Sequence, residues 1–191
     1  TVTNVDEPPL INAATLSVNE NVGTGVNVGS AITASEPESQ TITWSIDAFS
    51  DGAAFAIHSS TGQITTAVST FDHETKATYT IRVRATDTSA NAGTRVFNIA
   101  VNDMPEDPTV DDATTDVDEN EALNHLVFTC SFSDPDSVAG MAFAITAGND
   151  EGYFSINSAA EIRMARVPLN YEEFTQFVLT VQATDNTART D

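Results

Sequence analysis

Two consecutive all-β sandwiches are predicted by three features of the sequence. It carries an internal repeat, it is built from short runs of alternating apolar and polar residues, and it has no long amphipathic helical pattern. The repeat sets the number of domains. Ser17-Val18-Asn19-Glu20-Asn21 returns as Asp116-Val117-Asp118-Glu119-Asn120, and Phe55-Ala56-Ile57 returns as Phe154-Ser155-Ile156. Phe71-Asp72-His73-Glu74 returns as Leu169-Asn170-Tyr171-Glu172, and Arg84-Ala85-Thr86-Asp87 as Gln182-Ala183-Thr184-Asp185. A period of roughly one hundred residues exceeds a solenoid unit and matches a small domain.

The strands follow from side-chain parity. Val26, Val28, Ile32 and Ala34 share one face, as Leu126, Phe128, Cys130 and Phe132 do in the second repeat. Ile42, Trp44 and Ile46 match Met141, Phe143 and Ile145, while Tyr79, Ile81, Val83 and Ala85 match Phe177, Leu179, Val181 and Ala183. Ser, Gly, Asp and Pro punctuate these runs, which suits two facing sheets. Residues 1–9 read as the tail of a preceding linker, 10–101 as the first repeat, 102–108 as a Pro-constrained linker, and 109–191 as the second repeat. The first repeat closes with a strand near Gly93 to Val101. The second is expected to lack that final strand, because the sequence stops at Asp191 before a counterpart is complete, leaving an unpaired edge.

Charge narrows the function. The sequence has 28 acidic residues against 7 Lys plus Arg, a formal net charge of -21. Such density opposes compaction unless cations bind, and it repels nucleic acid and anionic membranes. Neither nucleic-acid binding nor direct membrane insertion is expected, since no apolar stretch reaches the length of a span. Cys130 is the only cysteine, so an internal disulfide and a thiolate cluster are both excluded. Its parity marks it as a small core hydrophobe.

The recurring acidic residues stand at strand ends and beside the linker. They are Glu20, Asp72 and Glu74 in the first repeat, Asp103 beside the amide of Asn102 in the linker, and Asp134, Asp136 and Asp185 in the second repeat. Brought together by end-to-end stacking, these groups would repel by several kcal/mol without a cation. Oxygen donors of this kind suit calcium, with six to eight ligands. Zinc recruits histidine or cysteine, and neither is grouped in the sequence. Taken singly, each of these residues is equally an ordinary turn former.

Taken as a set, the motifs resemble those of the cadherin family. Asn19-Glu20-Asn21 and Asp118-Glu119-Asn120 are similar to its early glutamate motif, and Phe71-Asp72-His73-Glu74 and Leu169-Asn170-Tyr171-Glu172 to its Leu-Asp-Arg-Glu motif. Ser133-Asp134-Pro135-Asp136 resembles its Asp-x-Asp motif, Ala183-Thr184-Asp185 its later aspartate motif, and Ala100-Val101-Asn102-Asp103-Met104 its Asp-x-Asn-Asp-Asn linker with both outer positions changed. The resemblance implies Greek-key sandwiches placed end to end, with three calcium ions between successive repeats. Carried over by position, Glu20, Asp72, Glu74, Asp103, Asp136 and the Val101 carbonyl would hold two ions. Asn102, Asp134, Asp136, Asp185 and the Met104 carbonyl would hold the third. At the outer end, Asp6 and Glu7 lie in a linker-like tail, and Glu36-Pro37-Glu38 replaces Asp-x-Asp with longer side chains that would alter or weaken a site near Asp87. The Asn-Asp linker, the Ala-Thr-Asp endings and the acidity are closer in style to microbial cadherin-like domains than to vertebrate adhesive ectodomains.

The resemblance further implies an extracellular or cell-surface rod, stiffened by calcium and acting in adhesion or as a spacer. Its partners would be flanking repeats and a homophilic or heterophilic surface protein. The alternative is a calcium-dependent carbohydrate-binding module that takes polysaccharide through an exposed aromatic, for which Tyr153 is the best candidate. An enzyme is not expected. His58, His73 and His125 do not recur together, and Ser59-Ser60-Thr61-Gly62 lacks the strand-to-helix setting of a nucleophile.

Overall fold

Alternation of side chains becomes pairing of strands in the computed structural model, which describes residues 1–191. The chain divides into two units, Thr1–Met104 and Pro105–Asp191. The first holds β1 (Leu10–Ile11), β2 (Leu16–Asn19), β3 (Ala34–Ser35), β4 (Thr43–Ile46), β5 (Phe55–Ile57), β6 (Ile64–Thr66), β7 (Thr78–Thr86) and β8 (Ala92–Asn102). One sheet runs β2-β8-β7-β4, while β1 pairs with β3 and β5 with β6.

The long pair β7 and β8 is the spine of this unit. Its antiparallel register sets Ile81 opposite Phe97 and Tyr79 opposite Ile99. Alternate residues Ile81, Val83, Ala85, Phe97, Ile99 and Val101 are buried, as period two requires. On the edge, β2 pairs with β8 in parallel, Leu16 opposite Ile99 through Asn19 opposite Asn102. Trp44 is 6% exposed and belongs to the core, as its parity predicts.

The run from Val26 to Ala34 only partly follows its predicted face. Val28 and Ile32 are fully buried, but Val26 is 39% exposed. Gly25 and Gly29 both have positive φ, so the segment follows β6 through separate bonds, Val28 N to Ile64 O and Ile32 N to Gly62 O, instead of forming one continuous strand. A different glycine is required for close approach. A Cβ on Gly93 of β8 would lie 1.9 Å from the carbonyl oxygen of buried Pro9.

The second unit repeats the scheme with β9 (Thr109–Val110), β10 (Leu126–Thr129), β11 (Phe132–Ser133), β12 (Ala142–Ala147), β13 (Phe154–Ile156), β14 (Glu161–Met164) and β15 (Thr180–Thr184). Its sheets are β9-β11, β10-β14-β13 and β12-β15. No strand follows β15 in the 191 residues, where Thr190 makes only an isolated bridge to Thr184. The segment around Asp116 to Glu119, which corresponds to β2, is not a strand either. In the first unit that segment is held by β8, and these 191 residues include no counterpart of β8 for the second unit.

Two expected faces change in this unit. A register shift between Leu126 and Phe128 turns Leu126 outward, leaving it 42% exposed. Tyr153, expected at the surface, is 5% exposed and packs edge-on against Phe174 and Phe177 at 5.6 and 5.7 Å. Alternation cannot distinguish an exposed aromatic from one beneath a folded-over loop, and here the loop carrying Phe174 covers the ring.

Candidate metal centres

The parallel strands β2 and β8 finish together, and the Asn102 carbonyl accepts the Glu20 N–H at 3.3 Å. This brings the Glu20 side chain, 2% exposed, to the end of the sheet. Its Oε2 accepts the His73 backbone N–H at 2.6 Å, and its Oε1 accepts the Met104 backbone N–H at 2.6 Å. Both are short N–H to carboxylate bonds. They bring two loops to one pole, where His73, Glu74 and Asp103 each place a ligand atom within 4.8 Å of the other two.

At the same pole, His73 Nδ1 donates to the Val101 carbonyl at 2.8 Å, a carbonyl having no proton to give. That bond, followed by the carboxylates of Asp103, Glu74 and Glu20, holds the imidazole pKa above its ordinary value. Asp72 uses its oxygens within its own turn, accepting the Thr75 N–H at 2.8 Å and the Thr75 hydroxyl at 2.7 Å. The Thr75 hydroxyl and then its N–H hold Asp72 below the usual carboxylate range. Asn102 Nδ2 donates to Asn19 Oδ1 at 2.8 Å.

The turn between β7 and β8 marks the opposite pole of the first unit. Asp87 is 6% exposed, and its Oδ1 accepts the Ser89 and Asn91 N–H groups at 2.9 and 2.8 Å. Its Oδ2 is buried without a hydrogen-bond partner, as are Glu36 Oε1 and Glu38 Oε2. Carboxylate oxygens of Asp6, Glu36 and Glu38 lie within 4.8 Å of one another. Asp6 accepts Gln40 Nε2 at 2.5 Å and Asn91 Nδ2 at 3.0 Å. Ser89, Gln40 and Asn91 hold its pKa down, whereas the bond to Glu38 pushes Glu7 up. Buried anionic oxygens without donors cost several kcal/mol, a cost that a cation offsets.

In the second unit the Asp134-Pro135-Asp136 turn is closed by Asp134 Oδ1, which accepts the Asp136 and Ser137 N–H groups at 3.0 Å each. Asp134 Oδ2 is again buried without a partner. Asp136 Oδ2 accepts the Glu106 N–H at 2.6 Å. Asp185, 8% exposed, closes the turn after β15 through bonds from Thr187 and Arg189 N–H at 2.8 and 2.7 Å. Burial pushes its pKa up, but the Thr187 hydroxyl and these N–H groups outweigh burial, and the net displacement is downward.

Of the residues singled out by sequence, Glu20, Glu74 and Asp103 converge with the backbone of Val101 and Met104. Asp134 and Asp136 share a turn, and Asp72 and Asp185 organise turns of their own. His73 was not among them. The histidine standing between Asp72 and Glu74, where the resembled motif has arginine, was the available signal. Glu36 and Glu38 converge with Asp6 despite their length.

A family model described as Cadherin domain matches residues 14–102 and 113–191. The chain belongs to the cadherin family. It is 33% identical over 191 residues to Cadherin-99C of Drosophila melanogaster, covering 95% of this chain and 11% of that protein. It is 30% identical over 193 residues to human Protocadherin Fat 1, covering 95% of this chain and 4% of that protein. The solved structure of human Protocadherin-24 EC1-2, form II, superposes with a TM-score of 0.77 at 21% identity, covering 94% of this chain and 88% of that one. The chain thus spans a small fraction of the curated cadherins it matches. These relatives are animal proteins, which overturns the stylistic likeness to microbial repeats. Asn102-Asp103 and Ala183-Thr184-Asp185 occur in a chain that matches fly and human cadherins, so they do not discriminate lineage. Family membership gives two tandem extracellular β-sandwich modules of the cadherin type.

Proposed function

We propose that this cadherin-repeat pair binds calcium at its poles and that the ions stiffen the joint between consecutive repeats in an adhesive or spacer rod. The observation that carries this is the set of buried, partnerless carboxylate oxygens at Asp87, Glu36 and Glu38 in the first unit and at Asp134 in the second. Hard oxygen donors with spare lone pairs fit calcium and its six to eight ligands. Glu20, Asp72, Glu74, Asp103 and the Val101 carbonyl are proposed for two ions with Asp136, and Asn102, Asp134, Asp136, Asp185 and the Met104 carbonyl for a third. Calcium supplies neutralising charge there, while Glu20 keeps its loops in register and the Asp134 turn presents its second oxygen.

Binding only to the folded state raises stability. Calcium is expected to raise the melting temperature in calorimetry and to lengthen the particle in small-angle scattering, with magnesium doing neither at equal concentration. Asp103→Ala is expected to weaken calcium binding at least tenfold in titration calorimetry, against little change for Asp150→Ala in an exposed turn. Equal affinities for the two variants would refute the assignment. Adhesion to a like or unlike surface protein is the proposed use of the rod. The polysaccharide alternative loses its platform, since Tyr153 is in the core.

A further inference from the structure

We propose that the pole formed by His73, Glu74 and Asp103 also takes a borderline divalent ion of the zinc class, with His73 Nε2 as the nitrogen ligand. This goes beyond the calcium function, which uses oxygen donors alone. The sequence separates histidine from any metal-binding spacing, but folding groups it with two carboxylates whose ligand atoms lie within 4.8 Å of each other and of the imidazole. Zinc bound at 2.0–2.2 Å sets tetrahedral ligands about 3.3 Å apart. Glu74 and Asp103 are exposed and lie outside the core, and zinc binding requires their side chains to close that difference.

The imidazole is already oriented for the task. Donation from Nδ1 to the Val101 carbonyl at 2.8 Å places the ring proton on Nδ1 and leaves the lone pair on Nε2 in the neutral ring. Histidines that ligate metals usually make this kind of outward bond, which fixes the tautomer and strengthens the ligand. Glu20 ties down the backbone of His73 and Met104, the residues adjoining Glu74 and Asp103. The other histidines lack this setting. His58 Nδ1 accepts the Ser60 and Thr61 N–H groups within a turn, and His125 Nδ1 pairs with Glu121 at 3.1 Å.

The test is a zinc chloride titration of the 191-residue chain in calcium-free buffer at about pH 8, above the ordinary imidazole range. The ring carbons of the three histidines are followed by NMR. Selective shifts at His73 are expected, and His73→Gln should lower zinc affinity by at least tenfold more than it lowers calcium affinity. Shifts confined to His58 or His125, or a His73→Gln protein that binds zinc like wild type, would overturn the inference. The wild-type NMR readout decides the matter even if the variant fails to fold. If calcium does not bind while zinc shifts His73, the calcium function falls and this inference stands. If calcium binds and His73 does not respond to zinc, the reverse holds.

Discussion

Glu20 and His73, 53 residues apart in sequence, are joined by a bond of 2.6 Å from the His73 backbone N–H to a Glu20 carboxylate oxygen. The second unit makes the same bond between Tyr171 N–H and Glu119 at 3.1 Å. Asn21 and Asn120, the following residues, both take positive φ and donate to the carbonyls of Phe71 and Leu169. The recurring glutamate is therefore a structural anchor as well as a candidate ligand.

Its removal should be costly only where it is buried. Glu20→Ala leaves two backbone donors without their acceptor and is expected to cost about 2–4 kcal/mol in calcium-free urea denaturation. Glu119→Ala, at an exposed position, is expected to cost less than about 1 kcal/mol.

Asp47 accepts Arg84 Nε and Nη2 at 2.9 and 3.0 Å and Arg82 Nε at 2.8 Å. Arg84 and then Arg82 hold its pKa below the ordinary 3.8. A carboxyl lowered in the folded state stabilises fully above its unfolded pKa, and that contribution is lost as pH falls through the folded value. Asp47→Asn should therefore cost about 1–2 kcal/mol near neutral pH. Its melting curve should converge on that of wild type as pH drops below 3.8.

Asp87→Asn separates charge from shape at the outer pole of the first unit. The amide keeps an acceptor for Ser89 and Asn91 but removes the partnerless anionic Oδ2. Without calcium it should melt at or above wild type, and it should lose part of the calcium-dependent rise in melting temperature. A full rise would show that Asp87 is not a ligand.

Tyr153→Ala empties a site between Phe174 and Phe177 and is expected to destabilise by about 3–5 kcal/mol in chemical denaturation. Loss of a ligand with the stability intact would restore the surface-aromatic alternative.

Gly93→Ala drives a methyl into the Pro9 carbonyl and should cost at least about 2 kcal/mol, whereas Gly23→Ala, with nothing within 4 Å, should be tolerated.

Fold class and repeat were legible in the sequence because period two and period one hundred, roughly, are written in side-chain types. Ile81, Val83, Ala85 and Trp44 are buried as their parity predicts. Parity failed at Leu126, where a register shift reverses the face, and at Tyr153, where a distant loop supplies the cover. The poles were half legible. Carboxylates such as Asp103 and Asp134 announce themselves by motif, but the role of His73 depends on the Val101 carbonyl 28 residues away, a contact that local spacing cannot encode.

The parallel pairing of β2 with β8 also bears on how the first unit resists pulling. The chain enters at the Leu16 end of one strand and leaves at the Asn102 end of its neighbour, so tension along the backbone drags the two in opposite directions along their length. The backbone bonds from Leu16 to Asn19 are then loaded in shear and must rupture together, whereas a hairpin pulled from its open end unzips one rung at a time.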